Sequence, residues 1–150
     1  MRWYPRYPGS CFLAGTLIDT PGGARPIETI GLGDPVITWD TGSNKLATPA
    51  QVTKLHRNQA KSHLKLALTD GVARTVVLTT SDHPFFLPDF NIAWAGALKP
   101  GDAVLMRKDS GLARVVVAST EEIPGDVTVY NITVPPHHNY FANGILVHNR

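Results

Sequence analysis

A thiol, two histidine-bearing clusters and a penultimate asparagine are what this 150-residue chain offers for chemistry. The thiol belongs to Cys11, the only cysteine, in "GSCFLAGT". A lone cysteine makes no internal disulfide. It is either a small buried hydrophobe or a nucleophile attacking as thiolate, from an unperturbed pKa of about 8.5. The first cluster is "TTSDHPFF", where Thr80 and His83 stand three apart and Pro84 follows at once. An imidazole titrates near neutrality and can hand a proton to a leaving amine, and Thr80 adds a hydroxyl to the same place. Phe85 and Phe86 beside it predict a partly buried ring, which then requires hydrogen-bond partners. The second cluster is "PPHHNYFANGILVHN", with His137, His138, His148 and Asn149; three of the six histidines fall within these twelve positions from His137 to His148. By residue type, Cys11, His83, His138 and His148 also compose a zinc set, although the close Cys-x-x-Cys or His-x-x-x-His spacings are absent.

Cutting a peptide bond from within is one reaction that these residue types could serve, although a lone cysteine is more often a buried structural one. Such a reaction needs a nucleophile, a proton donor for the departing amine and donors for the tetrahedral oxyanion. An intramolecular nucleophile removes the entropic cost of encounter, worth up to about 7–11 kcal/mol when well aligned.

The elements that must position these groups read as strands. "PVITWD", "ATPAQVTKLH", "ARVVVAST" and "VTVYNITV" are strand candidates, and "HLKLALTDGVARTVVLTT" reads as a hairpin around Asp70-Gly71. The sharpest signal is "NYFANGILVHN": Asn143-Gly144 suits the two positive-φ positions of a type I′ turn, with Tyr140–Ala142 and Ile145–Val147 as arms. An antiparallel pair of that length carries His148-Asn149 back beside "PPHH". No stretch sustains a 3.6-residue period; "ETIGLGD" and "WAGALKPGD" each hold one short helical turn at most. The expectation is all-β. Gly-Asp-x-Val occurs at Asp34 and again at Asp102, 68 residues on, near half the span from Cys11 to Asn149, which suggests two similar half-domains.

Composition bounds the answer. With 43% apolar and 17% charged residues the chain is globular, and its length suits one domain with a real core. A net charge of +2 with scattered Lys and Arg argues against nucleic acid, and no apolar run reaches the length of a membrane span. "MRWYPRYPGS" lacks the apolar core of a complete signal peptide.

Taken in order, the opening Cys11, the Thr-x-x-His of the first half and the closing "VYNITVPPHHNYFANGILVHN" resemble the Hint superfamily. It comprises inteins, bacterial intein-like domains and hedgehog-type autoprocessing domains. The resemblance spans residues 11–149, makes 1–10 the upstream flank and Arg150 the first downstream residue, and leaves no room for an inserted endonuclease. The terminal His-Asn favours inteins and intein-like domains over hedgehog domains. The fold implied is an all-β horseshoe of two pseudo-symmetric halves that brings both chain ends together.

For this sequence the resemblance implies that Cys11 attacks the carbonyl of Ser10, leaving a thioester, with Thr80 and His83 at that bond and His83 protonating the amine. Asn149 then cyclises to a succinimide and releases Arg150, assisted by His138 and His148. The substrate is the chain's own flanking polypeptides, the acyl acceptor an external thiol, amine or water; no cofactor is implied, and a monomer suffices. The sequence departs from the pattern twice. Many inteins have Asp where Asn131 stands, and Asn cannot ionise. Splicing also requires Cys, Ser or Thr after the terminal Asn, and Arg150 is none of these, so the expected outcome is cleavage of the flanks. Two competing readings are an inactive Hint-fold linker or presentation module in a larger secreted or toxin-like protein, and a zinc-binding module.

Overall fold

The structure is a computed structural model that describes residues 10–149. Residues 1–9 and Arg150, on which the flank assignments partly rest, lie outside the described residues. Eleven strands form one sheet: β1 (Phe12–Leu13), β2 (Leu17–Thr20), β3 (Gly23–Pro26), β4 (Lys54–Thr69), β5 (Arg74–Thr79), β6 (Pro84–Phe86), β7 (Ile92–Trp94), β8 (Ala103–Lys108), β9 (Gly111–Thr133), β10 (Asn139–Ala142) and β11 (Ile145–His148). The order is β1-β5-β4-β9-β8-β11-β10-β2-β3, with β6 joined to β7 and β11. Two further two-stranded pairs join Pro35–Val36 to Ala50–Gln51 and Trp39–Asp40 to Lys45–Leu46. No helix among the described residues is long and apolar enough to cross a membrane.

The all-β expectation holds, with four local differences. "ATPAQVTKLH" is not one strand: Ala50–Gln51 joins a small pair and 54–56 open β4. "ARVVVAST" and "VTVYNITV" are not separate strands but parts of one 23-residue strand, β9. Its partner β4 runs beside it from Thr69↔Val116 to Lys54↔Thr133, and bulges absorb the irregularities at Val117/Ser119 and Pro124/Val127. A bulge tolerates a proline, which has no N–H to give the ladder, so Pro124-Gly125 does not break the strand. "PVITWD" is interrupted at Ile37-Thr38 and contributes to two different small pairs. The turn after β4 is also wider than two residues. Thr69 pairs with Arg74, and the Asp70 carboxylate accepts the N–H groups of Val72 and Ala73, closing a four-residue loop.

The hairpin at Asn143-Gly144 is as expected: Ala142 pairs with Ile145, and the two turn residues have φ of 49° and 82°. The hairpin divides the interior. Tyr140, Ala142, Ile145 and Val147 enter the larger core with Phe12, Ile18, Leu66 and Phe85. Phe141 and Leu146 face the other way, into a smaller core with Trp39, Phe86 and Leu105. Apolar residues on both faces of both arms therefore bury the strand that leads to Asn149.

The two halves are alike in detail. A 3₁₀ turn, Ile27–Thr29 in one and Ala95–Ala97 in the other, precedes each Gly-Asp-x-Val. Asp34 accepts the N–H of Gly31 at 2.7 Å, and Asp102 that of Lys99 at 2.8 Å. Gly33 and Gly101 both have left-handed φ, 82° and 94°, where a side chain would be strained. Their N–H groups donate to Val52 and Val117, and those residues donate back to Asp34 and Asp102. The sequence repeat is thus a structural repeat. In the second half its helical turn holds the site: Ala95 N–H donates to the His83 carbonyl and Gly96 N–H to the Ser81 carbonyl. A Cβ on Gly96 would come within 3.1 Å of that Ser81 oxygen, so a side chain there would push the turn a few tenths of an ångström off the Thr80–His83 segment.

Candidate active site

β1 enters the sheet between β5 and β9, Phe12 pairing with Thr79 on one side and Tyr130 on the other. That pairing lodges the peptide before it, Ser10–Cys11, between Thr80 and Asn131. The Cys11 N–H donates to the Thr80 hydroxyl at 3.0 Å, and the Thr80 N–H donates to the Cys11 carbonyl at 3.0 Å. On the other side, the Asn131 side-chain amide donates to the Ser10 carbonyl at 2.7 Å. Both polar groups of this one peptide bond are held by side chains.

The Cys11 thiol is buried, its Sγ 3.9 Å from the Asn58 side-chain amide. Burial pushes its pKa up to about 12; the Asn58 contact opposes this and the Asp82 charge adds to it. The thiol is therefore buried, as one of the two readings of a lone cysteine has it, and far from its free value. At neutral pH the sulfur keeps its proton, and attack requires that proton to leave as the bond forms.

His83 is wholly buried, its ring 4.2 Å from that of Phe12 and 5.9 Å from that of Phe85, centroid to centroid. Burial pushes its pKa down to about 3. The backbones of Ser10 and His148 oppose the shift, and the His148 charge reinforces it. The expected hydrogen-bond partners are not there: both ring nitrogens are buried without one among the described residues. Ser10 and His148 border the ring yet sit outside hydrogen-bonding geometry, so a neutral imidazole lies uncommitted between the two chain ends.

At the other end, β10 and β11 pair Asn139 with His148, which returns the chain to "PPHH" as expected. The Asn149 N–H donates to the His138 carbonyl at 2.8 Å, and its side-chain carbonyl accepts the Val134 N–H at 3.2 Å. Asn149 is buried, and its Nδ2 has no partner among the described residues. The fold thus fixes the oxygen of this amide and leaves the nitrogen free. Burial, then the His138 charge, pushes the His148 pKa down to about 4, and the ring meets the edge of Phe86 at 5.7 Å. His138 adopts a left-handed φ of 54°, and its Nδ1 is likewise buried and unpartnered. His137 instead lines a groove with Asp40, Lys45 and Pro136.

Sequence reasoning missed Asn58, Tyr140 and Gly96. Asn58 falls between two strand candidates in the sequence and is placed by β4 only in the structure, and Tyr140 reads as ordinary core. Gly96 sits in a turn-rich stretch that any glycine suits. Among the described residues, no three His, Cys, Asp or Glu side chains gather as metal ligands, which removes the geometric basis of a zinc set.

The neutral His83 carries a stability consequence. An unfolded ring protonates near pH 6.5 and the folded one only near 3, so the unfolded state binds more protons between those values. Stability is therefore full above 6.5 and falls as pH drops through that window. From pH 6.5 to 4.5 this one group costs roughly 2–3 kcal/mol, at about 1.36 kcal/mol per unit; His148 shifts in the same direction. Urea unfolding at pH 7 and pH 4.5 should show a clearly smaller acid loss in His83→Gln than in wild type. Equal losses would mean that His83 is not the group taking up the proton.

Residues 17–150 match the pretoxin HINT domain family. Among solved structures, the solution structure of the bacterial intein-like domain from Clostridium thermocellum is 33% identical, with a TM-score of 0.83 over 93% of this chain and 99% of that one. The gp41-1 intein is 25% identical, with a TM-score of 0.73 over 93% and 98%. A DnaB intein from Synechocystis shares the fold at 21% identity, with a TM-score of 0.78 over 93% and 98%. No curated protein matches. With a family match over most of its length and an intein-like relative superposing across nearly all of it, the chain belongs to the pretoxin HINT family and so to the Hint superfamily of intein-like, self-processing domains.

Proposed function

We propose that this domain cuts its own chain at both ends, at Ser10–Cys11 and at Asn149–Arg150, and that the flanks mainly separate rather than join. The carrying observation is that the Ser10 and His148 backbones border one buried, neutral imidazole, that of His83. In the upstream step the Cys11 sulfur bonds to the Ser10 carbonyl carbon, and the bond from that carbon to the Cys11 nitrogen breaks. The proton the thiol loses is the proton the new amine gains. His83, bordered by the Ser10 backbone, passes a proton to that nitrogen in concert with formation of the sulfur–carbon bond; with a pKa pushed down to about 3 the ring is too weak a base to hold the thiol proton on its own. Thr80, already bonded to the Cys11 N–H, holds the leaving nitrogen in place. Thiol, amine or water then takes the acyl group from the thioester.

Downstream, the free Nδ2 of Asn149 attacks its own main-chain carbonyl carbon. A succinimide forms, and one amide proton passes to the departing amine of Arg150. His148, kept neutral with a pKa held near 4, and His138 serve as proton carriers for that exchange.

Arg150 has no hydroxyl or thiol to receive the acyl group, so separated flanks are the expected product. Placed between two reporter proteins of different mass, wild type should yield separated reporters on thiol treatment. Arg150→Cys supplies the acceptor and should shift product toward ligated reporters, read by intact mass. Efficient ligation by wild type would refute the cleavage reading; only separated reporters from the variant would show a second obstacle to splicing. The pretoxin family match and the buried thiol favour a second reading, an inactive module that links or presents parts of a larger toxin-like protein. Precursor that stays intact under thiol would establish it.

A further inference from the structure

Asn131 is bonded on three sides. Its side-chain carbonyl accepts the Ile132 N–H at 2.8 Å and the Tyr140 hydroxyl at 2.6 Å, and its Nδ2 donates to the Ser10 carbonyl at 2.7 Å. The backbone N–H of Ile132 can only donate, so the amide oxygen must face it and the nitrogen must face Ser10. Tyr140 is fully buried in β10 and keeps its proton, since burial raises its pKa well above 10. Two donors on the amide oxygen polarise the group and strengthen its N–H as a donor.

The atom receiving that N–H is the carbonyl oxygen that turns negative when Cys11 attacks. We propose that Asn131, oriented by Tyr140, is the oxyanion donor of the upstream acyl shift, and that this chain runs the step on an uncharged amide rather than on a carboxylate. The assignment rests on the cleavage reading above. As the sulfur–carbon bond forms, the carbonyl electron pair moves onto oxygen and the Asn131 bond becomes charge-assisted. It returns to an ordinary bond when the carbon–nitrogen bond breaks and the proton reaches the amine. Such a bond is stronger in the transition state than before it, which is the condition for accelerating a step. An ionised carboxylate at this position has no proton to donate and opposes the developing charge. Tyr140 is a positioning residue. It pairs with Val147, next to His148, so the hairpin that ends at the downstream junction also aims the donor at the upstream one.

The test is thiol-driven release of the upstream flank, timed in single turnover from pH 5 to 8, for wild type, Asn131→Ala, Asn131→Asp and Tyr140→Phe, with melting curves as the check of folding. Asn131→Ala should be about 10²–10³-fold slower at every pH, the effect of losing one oxyanion donor. Asn131→Asp is nearly isosteric. An ordinary carboxyl ionises near pH 3.9, so this variant should already trail wild type at pH 5 and fall behind by about a further tenfold per pH unit up to pH 8. Tyr140→Phe keeps the ring and should slow release roughly tenfold with an unchanged pH profile, because only the aim of a neutral donor is lost. Wild-type release alongside equal release by Asn131→Asp at pH 8 overturns the oxyanion assignment alone. A wild type that releases nothing while remaining folded overturns the cleavage reading and this proposal together.

Discussion

Cys11→Ala should retain its upstream flank indefinitely under thiol while wild type sheds it, a difference of at least about 10³-fold in rate, the scale on which removing a nucleophile acts. No other thiol exists in the chain to substitute. The change is chemical rather than structural. Cys11 makes one long contact through sulfur, to Asn58 at 3.9 Å, while its backbone bonds to Thr80 survive the substitution. A small buried cysteine exchanged for alanine costs on the order of 1 kcal/mol, too little to unfold a domain with this core. Melting temperature should therefore change little, and downstream cleavage should persist because Asn149 is untouched. Equal upstream release by both proteins in a time course would remove Cys11 from the mechanism.

Asn149→Ala should abolish release of the downstream flank as completely. Alanine has no amide nitrogen to attack with, and no nearby side chain offers the same five-membered closure. The wild-type product should end in a succinimide, or in the Asn or isoAsn formed by its hydrolysis, as read by mass and peptide mapping. The variant also strands the Val134 N–H, which now bonds the Asn149 oxygen. A buried donor left unpaired costs about 1–3 kcal/mol, so a modest fall in melting temperature is expected alongside the chemical loss. Upstream release should continue. Downstream cleavage without Asn149, or at another bond, would contradict cyclisation.

Much of the fold is legible in the sequence where short-range chemistry dictates it. Asn143-Gly144 tolerates the positive φ angles of its turn, so the final hairpin and its register follow from the dipeptide and the apolar arms. The Gly-Asp-x-Val pairs mark the two halves because each local turn needs a left-handed glycine and an Asp to accept the N–H three residues back. Where a long partner governs, local reading fails. Pro124-Gly125 looks like a strand end, yet β4 carries β9 through it as a bulge.

The sequence by itself therefore determined the strand class, the repeat, the turn beside the downstream junction and the residue types available to cut a peptide bond, since each depends on neighbours a few positions away. Only the tertiary structure decided their states. The Cys11 thiol rises to about 12 and His83 falls to about 3 through burial among residues distant in the chain. Asn131 meets Ser10 across 121 positions, through strand pairings that no local pattern encodes. Desolvation and long-range pairing are properties of the packed molecule, and no local pattern in the sequence encodes either.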